Sequence, residues 1–236
     1  MDISISYTLN GTEHVIRPTI VNSWLIVIVL SILFIVIGRR FKKMAYDEKP
    51  KGIYRLAEIF IEAIDNLTKE TMGKANMGFA PYIATLAIYL AIANLLGLIG
   101  LTPPTSDYNV TLTLAMITFF LIHFSSIRLN GLGGYLKGYL EPISFLLPIN
   151  IMGEIAVPIS LSFRLFGNVL TGVLLMGLIY GALSGIGMFI GPLVTPVLHA
   201  YFDVFSGLLQ TFIFMMLSMV QISNAIGDRD VVETKF

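Results

Sequence analysis

Apolar stretches long enough to cross a membrane dominate this chain of 236 residues and limit its fold to membrane architectures. Three of them, at 20–38, 81–101 and 110–127, have the length of ordinary spans, since about 20 helical residues cross about 30 Å of hydrocarbon. Hydrophobic residues make up 56% of the chain and charged residues only 13%, about half the share usual in soluble domains. The sequence therefore predicts an integral membrane protein, and its net charge of zero gives no sign of a nucleic-acid partner.

The last two apolar stretches, 142–183 and 186–226, are each about twice as long as a perpendicular span requires. Each is either a pair of ordinary spans or one long, tilted helix. A tight turn inside the bilayer leaves backbone groups to be satisfied, and 159–180 and 197–226 contain no proline to favour such a break. We therefore expect two long, tilted, antiparallel helices joined near 184–187. The fold class that follows is an all-α membrane protein with five crossings.

The residues around the first span predict the orientation of the chain. Arg39, Arg40, Lys42 and Lys43 follow the span directly, and basic residues collect on the cytoplasmic side. The N-terminus is then outside and, after five crossings, the C-terminus is cytoplasmic. At the N-terminus, an alternating pattern and the turn dipeptide Asn10-Gly11 predict a short hairpin, with a loosely ordered tail as the alternative.

The segment 50–72 is too charged to span a membrane. Its apolar residues recur at helical spacing, while charged residues occupy the other face. We expect an amphipathic helix on the cytoplasmic membrane surface, or one docked on a partner protein. The whole chain then forms a single integral membrane domain. Its parts are an exterior segment (1–19), the first span with its basic end (20–43), the amphipathic helix (50–72), the second and third spans (81–128), an ion-conducting hairpin (138–227) and a cytoplasmic tail (228–236).

No Lys or Arg other than Arg164 lies between Lys137 and Arg229, and Arg164 lies inside an apolar stretch. Arginine stays charged, and a charge at the bilayer centre costs about 2.5–3.5 kcal/mol or more. Such a residue usually marks an ion pathway with a carboxylate as partner. The alternative is a structural charge paired permanently with Glu154 or Asp203.

Polar residues accompany Arg164 along both long helices. On the first helix they recur so as to share one face, and on the second their spacings of seven and eleven also return to one face. Glu154 is expected on the cytoplasmic side of Arg164 and Asp203 on the exterior side, which indicates two aqueous half-pathways. The alternatives are interhelical hydrogen bonding for the uncharged residues, a headgroup position for Glu154 and a packing role for His199. The candidates are Ser160, Asn168 and Thr171 on the first helix, and His199, Asp203, Gln210 and Gln221 on the second.

Two segments of these helices resemble a known family. The sequence Arg164-Leu165-Phe166-Gly167-Asn168 and the segment 209–217 around Gln210 are similar to the signatures of subunit a of the F-type ATP synthase membrane sector, bacterial type. The segments 94–99 and 103–111 also resemble family blocks, and the likeness runs through residues 20–227 in order.

The resemblance implies a role for each matching residue. Arg164 matches the family's essential arginine, which faces a carboxylate of the rotating c-ring. Gln210 and Asn168 match the glutamine and asparagine that accompany it. Asp203 falls in the outer half-channel and Glu154 on the cytoplasmic side. A second outer acid, nine residues beyond the arginine in some members, falls here on Val173, and this departure puts more of the role on Asp203.

The implied function is that of a stator subunit that passes H+ to and from the c-ring and couples ion flow to ATP synthesis. It implies the c-ring, the peripheral-stalk b subunits, the rest of the F-type ATP synthase and membrane lipids as partners, in the bacterial plasma membrane. It implies no catalytic centre, cofactor or metal site in this chain. Na+ as the coupling ion is the first alternative, a self-contained secondary transporter the second, and a non-conducting scaffold the third.

Overall fold

A computed structural model describes residues 5–9, 12–43, 50–140, 143–183 and 194–226. Two strands precede a set of helices, with short 3-10 turns between several of them. The elements are β1 (Ile5–Leu9), β2 (Thr12–Ile16), α1 (Pro18–Phe41), α2 (Ile53–Met72), α3 (Ala80–Leu95), α4 (Tyr108–Leu140), α5 (Leu147–Leu183) and α6 (Val194–Ile226). The strands pair antiparallel with Ile5 opposite Ile16, which confirms the N-terminal hairpin.

Within these residues, 5 helices are long and apolar enough to cross a membrane, which confirms the all-α membrane fold. Helices suit the bilayer because they satisfy their backbone groups internally. α5 runs unbroken for 37 residues through Pro158, and at 1.5 Å per residue it is about 55 Å long. A helix of that length exceeds the hydrocarbon thickness and must tilt or project. The turn expected at 184–187 lies outside the described residues.

α4 consists of two helical segments that meet at a kink after the third span. Gly131 has a φ of 70° and a ψ of 163°, which are not helical, so the first segment ends there and a second segment continues to Leu140. Glycine adopts this left-handed conformation without the steric cost of a Cβ. Residues 138–140 belong to this second segment, and α5 begins at Leu147.

The amphipathic helix α2 packs against the chain's own bundle. Its buried residues Ile64, Thr68 and Met72 lie towards its C-terminal end. Ile64 and Met72 share a buried cluster with α3 and α6, and the Thr68 hydroxyl lies 3.9 Å from the sulfur of Met219. Leu56, near the N-terminal end, remains exposed. The C-terminal half of α2 therefore docks within the same chain, and the position of this helix on the membrane surface stays a prediction.

Two apolar clusters hold the helices together. The first joins α1, α3 and α4 to the hairpin, with Leu165 of α5 and Phe214 of α6 both fully buried in it. The second joins α2, α3 and α4 to the C-terminal half of α6. Both clusters include α6, so this helix is central, whereas α5 is largely exposed along its length. The hairpin therefore has one supported face and one open face.

Asp107, in the loop between α3 and α4, ties that loop to the start of α1. Its carboxylate accepts hydrogen bonds from the Arg17 guanidinium (3.2 Å), the Thr19 hydroxyl (3.1 Å) and the backbone N–H of Asn109 (3.0 Å). Burial acts to raise the pKa of Asp107, but the three hydrogen bonds and the Arg17 charge outweigh it and hold the pKa below its usual 3.8. The loop is therefore fixed by an ionised carboxylate.

Candidate functional site

A hydrogen-bonded pair sets the register between the two long helices. The side-chain amide nitrogen of Asn168 on α5 donates to the Ser206 hydroxyl on α6 at 3.0 Å, and that hydroxyl lies 3.2 Å from the amide oxygen. Because the helices are antiparallel, one turn back along α5 and one turn forward along α6 reach the same level. Those positions are Arg164 and Gln210. The amide nitrogen of Gln210 is buried there without a hydrogen-bond partner.

Arg164 is exposed on the open face of α5. Within the described part of the chain it forms no ion pair. Glu154 lies ten residues away on the same helix, which corresponds to about 15 Å along the axis. Leu165, the residue next to Arg164, is fully buried, so Arg164 projects from a side of the helix that the bundle does not cover. A permanent pairing with Glu154 or Asp203 is therefore not what the structure has.

Asp203 lies beyond Arg164 towards the C-terminal end of α5, in a small cavity between α3, α5 and α6. This Asp203 cavity has a volume of about 20 Å³, which is room for roughly one water molecule. A Cβ on Gly97 of the turn after α3 would lie 3.1 Å from the Asp203 carboxylate, so this close approach requires glycine. The polar residues that line the cavity are Asn94, Asn168, Asp203 and Ser206, and Val173 also faces it.

The local geometry of α6 at Asp203 is a π-helix over Ala200–Ser206. A π-helical turn holds more residues than an α-helical turn and often occurs at functional sites. The π-helix therefore rotates Asp203 relative to Gln210 away from the position that α-helical periodicity predicts. Gln210 is 4% exposed in the bundle, while Asp203 points into the cavity.

His199 links Asp203 to the end of α5. Its Nδ1 is hydrogen-bonded to Oδ2 of Asp203, and its Nε2 lies 2.7 Å from the hydroxyl of Tyr180. The packing role weighed for His199 does not account for these two polar contacts. Tyr180 carried no signal in the sequence, because it is one of 10 tyrosines and its partner is 19 residues away.

Glu154 lies on the other side of Arg164, in a much larger opening between α4, α5 and α6. This Glu154 cleft has a volume of about 660 Å³. Gln221 lines it from α6 with its amide oxygen buried and unpartnered. His123 lines it from α4, with Nε2 likewise unpartnered by a hydrogen bond and 3.9 Å from a carboxylate oxygen of Glu154. Unsatisfied buried polar atoms beside an opening of this size are the places where water binds.

The remaining candidates are more peripheral. Ser160 and Thr171 are exposed on α5, on the same open side as Arg164. His123 of the Glu154 cleft was not among the candidates from the sequence. The hydroxyl of Tyr135 lies 3.0 Å from Nδ1 of His123 and holds its ring in the cleft. No periodic pattern in α4 marks this histidine. The sequence likewise did not indicate that Asn94 anchors α3 to α6. Its amide nitrogen donates to the backbone carbonyl of Gly207 at 3.0 Å.

An exposed arginine on a membrane-spanning hairpin, with one polar cavity on either side, defines an ion-translocating membrane protein. Comparison with known proteins gives the particular family. The family model described as ATP synthase A chain matches residues 20–223. The chain belongs to this family, the ion-translocating rather than catalytic subunits of the synthase membrane sector.

Individual relatives agree with this assignment. The chain is 32% identical to "ATP synthase subunit a, sodium ion specific" of Propionigenium modestum, over 91% of this chain and 76% of that protein. It is 34% identical to "ATP synthase subunit a" of Trichlorobacter lovleyi, over 89% of this chain and 87% of that protein. It is also 34% identical to "ATP synthase subunit a" of Geobacter sulfurreducens, over 87% and 86%.

Proposed function

We propose that this chain is the stator of a rotary F-type ATP synthase that passes H+ through two offset half-channels to and from the carboxylates of a rotating c-ring. The observation that carries the proposal is the unpaired, exposed Arg164 between two separate polar cavities. A cation on a lipid-facing or partner-facing surface requires a compensating charge. The carboxylate of a rotor subunit supplies that charge and explains why no acid among the described residues does.

The two cavities take the roles of the half-channels. The Glu154 cleft opens to the cytoplasm and the Asp203 cavity serves the exterior side, with Gln210 and Asn168 at the levels of Arg164 and Ser206. Arg164 blocks direct passage of cations between them. It also lowers the pKa of an approaching rotor carboxylate, because a nearby positive charge favours the ionised form. Each proton must then leave on the rotor rather than cross beside it.

The position of the chain in the complex follows from its exposed surfaces. The open face of α5 contacts the c-ring, and the b subunits of the peripheral stalk hold the chain against rotation. The N-terminal hairpin lies outside a bacterial plasma membrane, and the basic end of α1, with Arg39 and Arg40 in its last turn, lies in the cytoplasm.

Replacement of Arg164 in the assembled complex tests the proposal. We expect Arg164→Ala to abolish ATP synthesis driven by an imposed ion gradient in reconstituted vesicles, while the soluble catalytic head still hydrolyses ATP. Retained gradient-driven synthesis would favour a non-conducting scaffold. Ion-coupled flux through the purified chain alone, without the ring, would favour a self-contained transporter.

Na+ as the coupling ion is the alternative candidate. A relative named as sodium ion specific is 32% identical over 91% of this chain. Synthesis driven by a Na+ gradient at constant pH, or stimulated by Na+ in proportion to its concentration, would support Na+. Synthesis that depends on the pH gradient and is indifferent to Na+ would support H+.

A further inference from the structure

Three titratable side chains connect the surface of the hairpin to the Asp203 cavity. The Tyr180 hydroxyl, near the end of α5, lies 2.7 Å from Nε2 of His199. The other ring nitrogen of His199 is hydrogen-bonded to Asp203, one turn along α6. Both nitrogens of the imidazole are therefore occupied, one towards the surface and one towards the cavity. A neutral imidazole has one donor and one acceptor nitrogen, so it can accept a proton at one and release a proton from the other.

The exposed fraction of these three side chains falls from the surface of the hairpin towards the Asp203 cavity. Tyr180 is 41% exposed, the His199 side chain 30% and the Asp203 side chain 19%. The first group therefore reaches solvent or headgroups, and the last does not need to. The cavity beyond holds only about 20 Å³, which is too small for a continuous column of water.

Among the described residues around His199 and Asp203, the three hydrogen-bonded side chains are the titratable route into the cavity. The other polar groups that line the Asp203 cavity are Asn94, Asn168 and Ser206, which do not titrate at physiological pH. The turn after α3 contributes Gly97, which lies against the carboxylate. On α5 the position facing the cavity near Asp203 is Val173, which can neither accept nor donate a proton.

We propose that Tyr180, His199 and Asp203 form a proton relay that loads the outer half-channel, an inference that rests on the proposed function. Tyr180 passes its hydroxyl proton to Nε2 of His199 as its oxygen takes a proton from exterior water. His199 then releases its Nδ1 proton to the Asp203 carboxylate and is neutral again. Asp203 delivers that proton to the rotor carboxylate, and rotation of the neutral His199 side chain then turns its protonated nitrogen back towards Asp203 and its free nitrogen towards Tyr180.

The relay determines which ion the outer side accepts. A proton moves along hydrogen bonds by exchange, whereas Na+ must move as an ion with several oxygen ligands. The imidazole offers no oxygen, and its nitrogens are already bonded. The relay therefore supplies H+ to Asp203 and excludes Na+ from this route.

Two replacements in the whole synthase, reconstituted in lipid vesicles, test the relay. His199→Gln keeps polar atoms but cannot carry a proton at neutral pH, and Tyr180→Phe removes one oxygen. Tyr201→Phe is the matched control, because Tyr201 is exposed on the same stretch of α6 and forms only ring contacts. ATP synthesis is measured at a fixed membrane potential while the exterior pH is varied.

We expect His199→Gln to lower the rate of synthesis about tenfold or more, since a positioned proton-transfer group contributes at least that much. The remaining rate loses the dependence on exterior pH that proton entry through His199 gives. Tyr180→Phe lowers the rate about threefold, because water replaces the hydroxyl imperfectly. Imidazole added outside restores part of the rate in His199→Ala, which a purely structural role does not predict. Tyr201→Phe matches the unaltered enzyme.

Several results overturn the relay. The relay is overturned if His199→Gln and Tyr180→Phe both synthesise ATP at wild-type rates at every exterior pH. If His199→Gln fails to assemble, the rate of Tyr180→Phe alone is the test. Synthesis by the unaltered complex on a Na+ gradient at constant pH also overturns it. These failures differ from failure of the stator function, since Arg164→Ala still loses synthesis if the chain is a stator without this relay.

Discussion

The two cavities beside Arg164 differ in size by more than an order of magnitude. The Glu154 cleft measures about 660 Å³ and contains buried polar atoms without hydrogen-bond partners. The Asp203 cavity measures about 20 Å³, and its side chains are bonded to one another, as in the pair of Asn168 with Ser206. Water can fill the first, whereas discrete side chains must carry the ion through the second. Replacements in the Asp203 cavity should therefore lower the rate of ATP synthesis more than replacements in the Glu154 cleft.

The charge that separates the cavities should give the largest effect. We expect Arg164→Lys to assemble but to lose synthesis by at least about 100-fold, because a lysine in an apolar site can deprotonate and presents a single point charge. The measurement is gradient-driven ATP synthesis by the reconstituted complex. Arg128→Lys, at an exposed position on α4, is the control and should have no effect. Normal synthesis in Arg164→Lys would contradict the proposal that the charge of Arg164 separates the two cavities.

On the Asp203 side we expect Asp203→Asn to slow synthesis about tenfold, because an amide cannot carry the proton across a cavity with room for about one water. Val173→Ala is the matched control, since Val173 faces the same cavity without a titratable group. Initial rates of gradient-driven synthesis compare the two. Equal, negligible effects would remove Asp203 from the pathway.

A change of shape in the same cavity should give a smaller effect. In Gly97→Ala the new methyl group would stand 3.1 Å from the Asp203 carboxylate and displace it by a few tenths of an ångström. We expect synthesis to fall about threefold, since misplacement of a transfer group weakens proton transfer. Gly38→Ala is the control, because a Cβ at Gly38 meets nothing within 4 Å. A rate equal to that control would show that the position of Asp203 is not critical.

On the Glu154 side we expect a modest effect. Glu154→Gln should slow synthesis only about twofold, because water and the polar side chains of the cleft still carry the ion. The same rate assay measures it, beside Asp203→Asn. A loss as large as that of Asp203→Asn would contradict the difference drawn between the two cavities and would indicate that the cleft is not filled with water.

A change remote from both cavities should affect stability rather than ion flow. Asp107→Asn removes the charge that accepts hydrogen bonds from Arg17 and Thr19. We expect a Tm lower by about 5 °C at pH 7 in detergent, from a loss of about 2 kcal/mol, with the synthesis rate unchanged at room temperature.

The pH dependence of this effect has a defined sign. The pKa of Asp107 is held below 3.8, so its ionised form stabilises the fold above that pH, and the contribution is lost as the pH falls through the folded-state pKa. The difference in Tm between the native chain and Asp107→Asn should therefore shrink below about pH 4. A constant difference from pH 7 to pH 3 would rule out the carboxylate charge as its cause.

Much of this architecture follows from local patterns. The apolar stretches predicted five crossings, and the absence of proline from 159–180 favoured one long helix, which α5 confirms. The Asn10-Gly11 signal predicted the hairpin of β1 and β2. The motif around Arg164 led to the family that the comparisons confirm. These features depend on residues close together in sequence, where periodicity and length carry the information.

Other features depend on residues far apart and were not predictable. The π-helix at Ala200–Ser206 alters the rotation of Asp203 relative to Gln210, and no α-helical pattern indicates it. The partnership of Tyr180 with His199 joins α5 to α6 between residues 19 apart in sequence. The docking of α2 on α6 gives its C-terminal half an apolar partner within the chain, which its amphipathic pattern did not specify.

The sequence by itself determined that the chain crosses a membrane in long helices and that a fixed positive charge lies within one of them, because hydropathy, helix length and the charge of arginine are local properties. Only the tertiary structure decided that Arg164 has no counter-ion among the described residues and that its two flanking openings differ so widely in volume. Those facts depend on how α3, α4, α5 and α6 pack, and the packing arises from contacts between residues that no local pattern brings together.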